Sequence, residues 1–409
     1  MKDTEMQLQS NPFTPVFGKV PLYLAGREGI IDDLLTTLDN PDNSPDRCTM
    51  FVGARGSGKT ALITYLAQEA RARGWIASNV TATKGMLEDI LQQAIAASSH
   101  LIDNASSVHL ASVSVAALGS VGFTRDQAAP ANWRTRMNSL LDQLAKTGTG
   151  LLITVDEVDP SLDEMISLVT TYQHFVREDR RVVLLMAGLP HRISALLSGE
   201  STSFLRRAAR KSLGPIPSYE VEEAFRSIVM DGGKRIDEDA LQTAVERIDG
   251  FPFMLQLVGY RSWNASHDEG VISIDHVRQG VGLAQEELES RVFDATLSEL
   301  SQADIEFLLA MSQDEGKTLQ ANLKTRLAKS PSHVSIYKKR LLEAGVIDEP
   351  VRGKLVFALP GFKDYLIKTM GKPRFAQLPL PNNSRTEQAT RGASAGAGSA
   401  SFAITFGAL

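Results

Sequence analysis

Apolar positions fall into two regimes along this chain. Through the first half, short continuous runs alternate with amphipathic stretches. Cys48 to Val52, Trp75 to Val80, Leu151 to Val155 and Val182 to Ala187 are apolar runs containing β-branched residues, the pattern of strands buried on both faces of a parallel sheet. A further short segment near Lys211 to Ile216 reads the same way. Arg27 to Leu38 and Ala61 to Arg73 carry helical spacing, and the alternation predicts an α/β fold, a parallel sheet covered by helices in an αβα arrangement.

From Ser218 onward the pattern is helical. Tyr219 to Met230, Asp237 to Ile248, Pro252 to Ser262 and Ile274 to Glu289 read as helices of a lid that follows the sheet. Leu300 to Met311, Thr318 to Leu327 and Ser332 to Ala344 are three more, the last entered through Ser330-Pro331-Ser332 and stopped by Gly345. Val346 to Asp348 and Leu355 to Leu359 then alternate as strands around Pro350 to Lys354. Three helices followed by a hairpin is the winged-helix arrangement. On its third helix Val334, Tyr337, Leu341 and Ala344 face the core, and Ser332, Ser335, Ile336, Lys339 and Arg340 fall outside.

These shifts divide the chain into an extended leader (1–25), a sheet domain (26–217), a helical lid (218–296), a winged-helix unit (297–372) and a tail (373–409). The tail's Ala393 to Ser401 stretch is low in complexity and cannot bury enough apolar surface to order itself. Residues 98–130, rich in Ala, Ser and Val, fit a small hairpin or a mobile insertion.

Charge changes the picture more than composition does. Hydrophobic content of 43% and charged content of 22% are those of a globular protein. The N-terminus starts no apolar signal segment and no run is long enough to span a bilayer, so the expected location is the cytoplasm, with no membrane partner. The single cysteine, Cys48, excludes an internal disulfide and a cysteine metal cage. The net charge of −5 hides an asymmetry: Gly316 to Arg374 holds 13 basic and 4 acidic residues, which is +9 and leaves −14 on the remainder. A basic module on an acidic body suits a polyanion such as double-stranded DNA. Ser332, Ser335, Lys339 and Arg340 would meet the major groove, and Arg352 and Lys354 the backbone or minor groove. Winged helices also serve as protein-binding modules, the alternative for the same surface.

Candidate chemistry is concentrated at Gly53-Ala54-Arg55-Gly56-Ser57-Gly58-Lys59-Thr60, with Ala61 opening the helix behind it. The sequence fits G-x-x-x-x-G-K-[ST] and lies between a strand and a helix. Its glycines let backbone N–H groups curl around a phosphate, the helix N-terminus faces the anion, Lys59 reaches the outer phosphates and Thr60 ligates Mg²⁺. The run Leu151 to Val155 ends in Asp156-Glu157. Carboxylates at that edge of a parallel sheet sit beside the phosphate loop, with Asp156 in the metal shell and Glu157 orienting or polarising the attacking water. The cofactors predicted are ATP and Mg²⁺.

With these parts in order, the chain resembles the AAA+ and STAND divisions of P-loop ATPases, in particular bacterial proteins related to origin-recognition ATPases that end in a winged helix. Leu24-Ala25-Gly26-Arg27-Glu28 looks like the family's GRE motif, with Phe17, Pro21 and Leu22 placed to help enclose adenine. Val182 to Gly188 looks like the sensor-1 strand, and Gly250-Phe251-Pro252 is similar to the GxP motif of STAND lids, whose proline contacts the base. Pro252 equally suits the first position of a helix with no nucleotide role. Phe204 to Arg210 looks like the segment that offers an arginine to a neighbouring subunit, which would make Arg207 or Arg210 a trans-acting finger and imply self-association through the ATPase domain. The same cluster also suits a solvated surface. Two departures point to slow hydrolysis: the sensor strand ends Met186-Ala187-Gly188 without a polar group, and no arginine opens the lid helix at Pro252-Phe253-Met254.

The sequence thus predicts a switch ATPase that couples nucleotide state to DNA binding. The alternatives are a multimeric replication-initiator or transposition-target ATPase, and a STAND-like signalling or defence scaffold whose winged helix binds protein.

Overall fold

The apolar runs become strands β1 (Cys48–Val52), β2 (Ile76–Thr81), β3 (Leu151–Asp156) and β4 (Val182–Gly188), joined by β5 (Ala209–Ser212). The computed structural model describes residues 10–16, 18–99, 101, 132–267 and 269–371. The strands pair in parallel, in the order β2-β3-β4-β1-β5. Successive side chains point to opposite faces, and both faces are covered. Met50, Ile153, Leu184 and Met186 pack toward the helices Met86–Ala97, Trp133–Lys146 and Asp163–Arg177. Phe51, Leu152, Val183 and Leu185 pack toward Glu28–Asp39 and Lys59–Ala72. Double coverage is why these strands are continuously apolar. The α/β fold class expected from the sequence is the one observed.

β5 begins two residues before the stretch anticipated. Its neighbour Leu213 still bonds β1, N–H to the Val52 carbonyl at 2.7 Å, and Ile216 N–H reaches the Gly250 carbonyl at 2.8 Å. The connection out of the sheet is therefore tied to both the sheet and the helical region.

That region comprises helices Ser218–Asp231, Glu238–Ile248, Pro252–Ala265 and Ile274–Leu288. Phe13, 2% exposed, stacks obliquely on Phe225 with ring centroids 5.1 Å apart, and Thr14 N–H donates to Gln256 Oε1 at 2.9 Å. Residues 11–14 are thus pinned into the helical core. Beyond Leu288 the chain runs through a π-helical turn, Glu289–Phe293, into a short helix, Asp294–Ser298. Phe293 packs edge-on against Phe362 at 5.3 Å, so the helical and C-terminal regions share one core.

The C-terminal region has helices Gln302–Met311, Gln320–Leu327 and Pro331–Glu343, then strands Ile347–Val351 and Lys354–Phe357. Thr318–Leu319, expected to begin the second helix, instead pairs antiparallel with the second hairpin strand. A helix not anticipated, Phe362–Met370, closes the region. Among the described residues no helix is long and apolar enough to cross a membrane. The expectations for Phe17, for residues 102–130 and for the tail lie outside the described residues.

Candidate nucleotide site and C-terminal surface

The sheet order puts β1 beside β4 and β4 beside β3, so the loop after β1 and the carboxylates after β3 share the C-terminal edge of the sheet. Gly56 and Gly58 hold φ of +77° and +87°, a region that glycine enters freely. Gly58 is the N-cap of Lys59–Ala72, so backbone N–H groups at that helix start point out of the loop. Ser57 is 6% exposed, and its Oγ has no hydrogen-bond partner among the described residues. A Cβ on Gly53 would fall 2.8 Å from the Leu213 carbonyl. The loop is a backbone-lined cradle with a cation at its edge, which fits a phosphate chain.

Lys59 is 5% exposed and donates to the Gly53 and Ala54 carbonyls at 3.0 and 2.8 Å. Burial lowers its pKa, Glu157 and Asp156 oppose that shift, and Arg55 adds to it. Thr60 Oγ1 donates to Asp156 Oδ2 at 2.6 Å, which places a hydroxyl and a carboxylate oxygen side by side, a hard-oxygen pair suited to Mg²⁺. Glu157 is exposed and adopts φ +52°, an uncommon conformation for a non-glycine residue. Its N–H is held by Asp156 Oδ1 at 2.9 Å. Beside the Thr60–Asp156 pair lies a polar cavity of about 380 Å³, lined among others by Thr64, Asn79, Thr81, Asp89 and Thr154.

The helical region closes on this loop. Phe251 lies against Gly56, and Pro252, first residue of its helix, comes to 4.0 Å of the Cβ position of Gly58. Arg27, 8% exposed, donates to the Ser57 carbonyl at 3.4 Å and the Gly214 carbonyl at 2.8 Å. It joins the glycine-rich loop to the segment leading toward the helical region. Burial lowers the Arg27 pKa, with Glu220 and Glu28 opposing.

At the end of β4, a Cβ on Gly188 would lie 3.2 Å from both Val158 Cβ and Ile193 Cδ1. Apolar packing fills the direction in which a polar side chain would have to grow. His191 follows, with its Nε2 buried and unpartnered among the described residues. Arg207 and Arg210 are exposed, whereas Arg206 Nε donates to the Leu197 carbonyl at 3.1 Å.

The structure brings the phosphate loop, Asp156, Glu157 and Pro252 together and places the C-terminal candidates on a separate surface. Ser332, Ser335, Lys339, Arg352 and Lys354 are exposed. Arg340 is also exposed on one side, but its Nη2 is bonded at 2.7 Å to Asp304 Oδ2, a side chain only 1% exposed. It ties the third helix to the first and is not a free groove contact. Spacing does not reveal Arg27 and Asn79 as neighbours of the site. Only Arg27 carried a signal, as the central residue of Gly26-Arg27-Glu28.

Residues 23–185 match the AAA ATPase domain family, and residues 290–366 match a domain of unknown function, DUF8462. A protein of Methanocaldococcus jannaschii, named an uncharacterized HTH-type transcriptional regulator, is 22% identical over 374 residues, covering 86% of this chain and 90% of that protein. The Aeropyrum pernix ORC2 protein aligns in its ADPNP–ADP complexes at 16% identity and TM-score 0.52, covering 86% of this chain and 96% of that one. Its ADP form aligns at 16% identity and TM-score 0.51, covering 87% and 97%. With the five-stranded parallel sheet, the glycine-rich loop and the following carboxylates in place, residues 23–185 carry the features of the AAA ATPase domain model they match, and the chain shares the fold of the Aeropyrum pernix ORC2 protein.

Proposed function

We propose that this protein is a slowly hydrolysing Mg²⁺-ATP switch whose nucleotide state sets DNA binding by a C-terminal winged helix. One observation carries the coupling. Gly345, which ends the third C-terminal helix at φ +69°, lies against the phosphate loop: its Cβ position is 3.5 Å from Arg55 Nε and 3.0 Å from Leu189 Cδ1. A rearrangement of the loop around phosphate is therefore felt at the base of that helix without an intermediary element.

In this reading residues 26–217 bind nucleotide, 218–296 form the lid and 297–372 the winged helix. The loop N–H groups and Lys59 hold the phosphates, Thr60 and Asp156 hold the metal, and Glu157 orients the water. Bound Mg²⁺ supplies charge neutralisation at the phosphate oxygens. Release of Lys59 from the Gly53 and Ala54 carbonyls frees its ammonium for the outer phosphates. The apolar filling around Gly188 accounts for slow turnover, because little besides Glu157 positions water on that side. Pro252 borders the nucleotide from the lid, and exposed Arg207 or Arg210 serves a neighbouring copy in trans, which favours self-association.

The charge of +9 over the C-terminal segment and the helix-and-hairpin layout favour duplex DNA as the partner. The regulator-type name of the Methanocaldococcus jannaschii relative agrees with it. Fluorescence anisotropy of the full chain on duplex DNA, with ATP, with ADP and without nucleotide across a salt series, tests this. Salt-dependent affinity that differs between ATP and ADP is expected, and Arg55→Ala should narrow the difference. Equal affinity in all nucleotide states overturns the switch. Absence of salt-dependent binding in every state overturns the DNA reading in favour of a protein-binding scaffold.

A further inference from the structure

Ile336 is 55% exposed on the helix Pro331–Glu343. Ser332, Ser335 and Lys339 share its outward face at helical spacing and are also exposed. The opposite face is anchored by Val334 and Leu341, at 1% and 0% exposure. Two ion pairs fix the helix from its flanks, Lys338 to Glu349 on the hairpin at 2.8 Å and Arg340 to Asp304 at 2.7 Å. The outward face is therefore a held platform, polar except for one β-branched side chain at its centre. Such a side chain is stiff at χ1 in a helix, so its methyl groups are already positioned.

Resting on the DNA-binding reading above, we infer that Ile336 is a specificity residue that packs against the 5-methyl group of thymine in the major groove. That methyl is the apolar feature a base pair presents there. Lys339 lies on this face, and the same module carries the exposed cations Lys324, Lys329 and Lys354, charge complementary to phosphate. A single exposed Ile gives too little apolar area for a stable protein interface. Among the described residues the other exposed large apolar side chains of the module are Leu319, Val351 and Met370: the first two are both register partners of Lys354, so a cation divides them, and Met370 ends the separate helix Phe362–Met370. Ser332 and Ser335 hydroxyls serve as hydrogen-bonding groups beside the methyl contact, to base edges or phosphate.

Alternating duplexes test this without knowledge of a preferred site, because every register of the groove then meets the same methyls. Anisotropy with the full chain would compare an alternating A·T duplex with its deoxyuridine counterpart, which lacks only the thymine methyl, and an alternating G·C duplex with its 5-methylcytosine form. Wild type is expected to bind the methylated member of each pair about fourfold more tightly, the worth of one buried methyl group. Ile336→Ala should abolish both preferences and leave the salt dependence unchanged, and Ile336→Val should keep most of them. Salt-dependent binding without any methyl preference, or a preference undiminished in Ile336→Ala, overturns the assignment while leaving DNA binding intact. No salt-dependent binding to any duplex overturns the DNA reading and this inference with it.

Discussion

The ring of Phe251 lies across Gly56, so that a Cβ added to that glycine would sit 2.5 Å from Phe251 Cε2. Phe251 is 7% exposed and is the N-cap residue of Pro252–Ala265. The helical region thus rests directly on the turn that would wrap phosphate. Gly56→Ala introduces both a steric clash and a side chain at φ +77°. It is expected to weaken ATP binding by tenfold or more, about 1.4 kcal/mol, by calorimetric titration. Adding Phe251→Ala should restore part of the loss by removing the clash while the backbone strain persists. If the double variant binds no better than Gly56→Ala, the ring is not what limits the loop.

Substitutions at Lys59 and Glu157 should separate binding from turnover. Removing the ammonium in Lys59→Ala deletes charge-assisted hydrogen bonds worth about 1.5–3 kcal/mol, so ATP affinity should fall roughly 10- to 150-fold. Glu157→Gln keeps the side-chain shape and should leave ATP affinity near wild type while lowering phosphate release by about 10²-fold or more. The isolated wild-type protein should itself turn over below roughly 1 s⁻¹. If self-association or DNA raises that rate, Arg207→Ala or Arg210→Ala should abolish only the increment.

The phosphate loop was legible because its chemistry is backbone chemistry, fixed by contiguous spacing. β1, β3 and β4 were legible because burial on both faces writes itself into composition. β5 was displaced for the converse reason: Ala209-Arg210-Lys211-Ser212 is an edge strand that alternates between half-buried and exposed, and only its pairing with β1 makes it a strand. Arg340 shows another limit. Periodicity places it on the outside of its helix, yet the Asp304 carboxylate that holds it comes from a different helix, which spacing cannot reveal. Phe13 likewise reads as part of an extended leader and becomes core because Gly259 leaves room for its ring.

His191 should give the fold a pH dependence. Burial lowers its pKa below the ordinary 6.5, nearby Arg192 lowers it further, and Glu343 from the third C-terminal helix opposes them. The unfolded chain takes up this proton at about pH 6.5 while the folded chain still excludes it, so the unfolded state binds more protons in that interval. The contribution is complete above pH 6.5 and declines as pH falls below it. Wild type should lose thermal stability between about pH 7.5 and 5.5 faster than His191→Gln. Parallel pH profiles for the two proteins would remove His191 from this role.

Arg340 and the hairpin cations should separate stability from DNA affinity. Arg340→Ala leaves buried Asp304 with its bonds from Ser301 N–H and Ser301 Oγ, at 3.0 and 2.6 Å, but without its cation. Arg340 is half-exposed but the Asp304 carboxylate is only 1% exposed, so losing the cation leaves a buried charge and should cost about 1–3 kcal/mol, visible as a lower denaturation midpoint. Arg352→Ala with Lys354→Ala removes two exposed charges at the hairpin turn and should leave that midpoint within about 0.5 kcal/mol of wild type. The same double variant should weaken duplex binding and reduce the slope of log affinity against log salt by about 2, since each lost phosphate contact releases one counterion fewer. Lys339→Ala alone should reduce the slope by about 1. ATP affinity should stay at its wild-type value in all three, because the phosphate loop and its carboxylates lie on other elements. A salt slope unchanged in the Arg352/Lys354 variant would move the DNA contact off the hairpin.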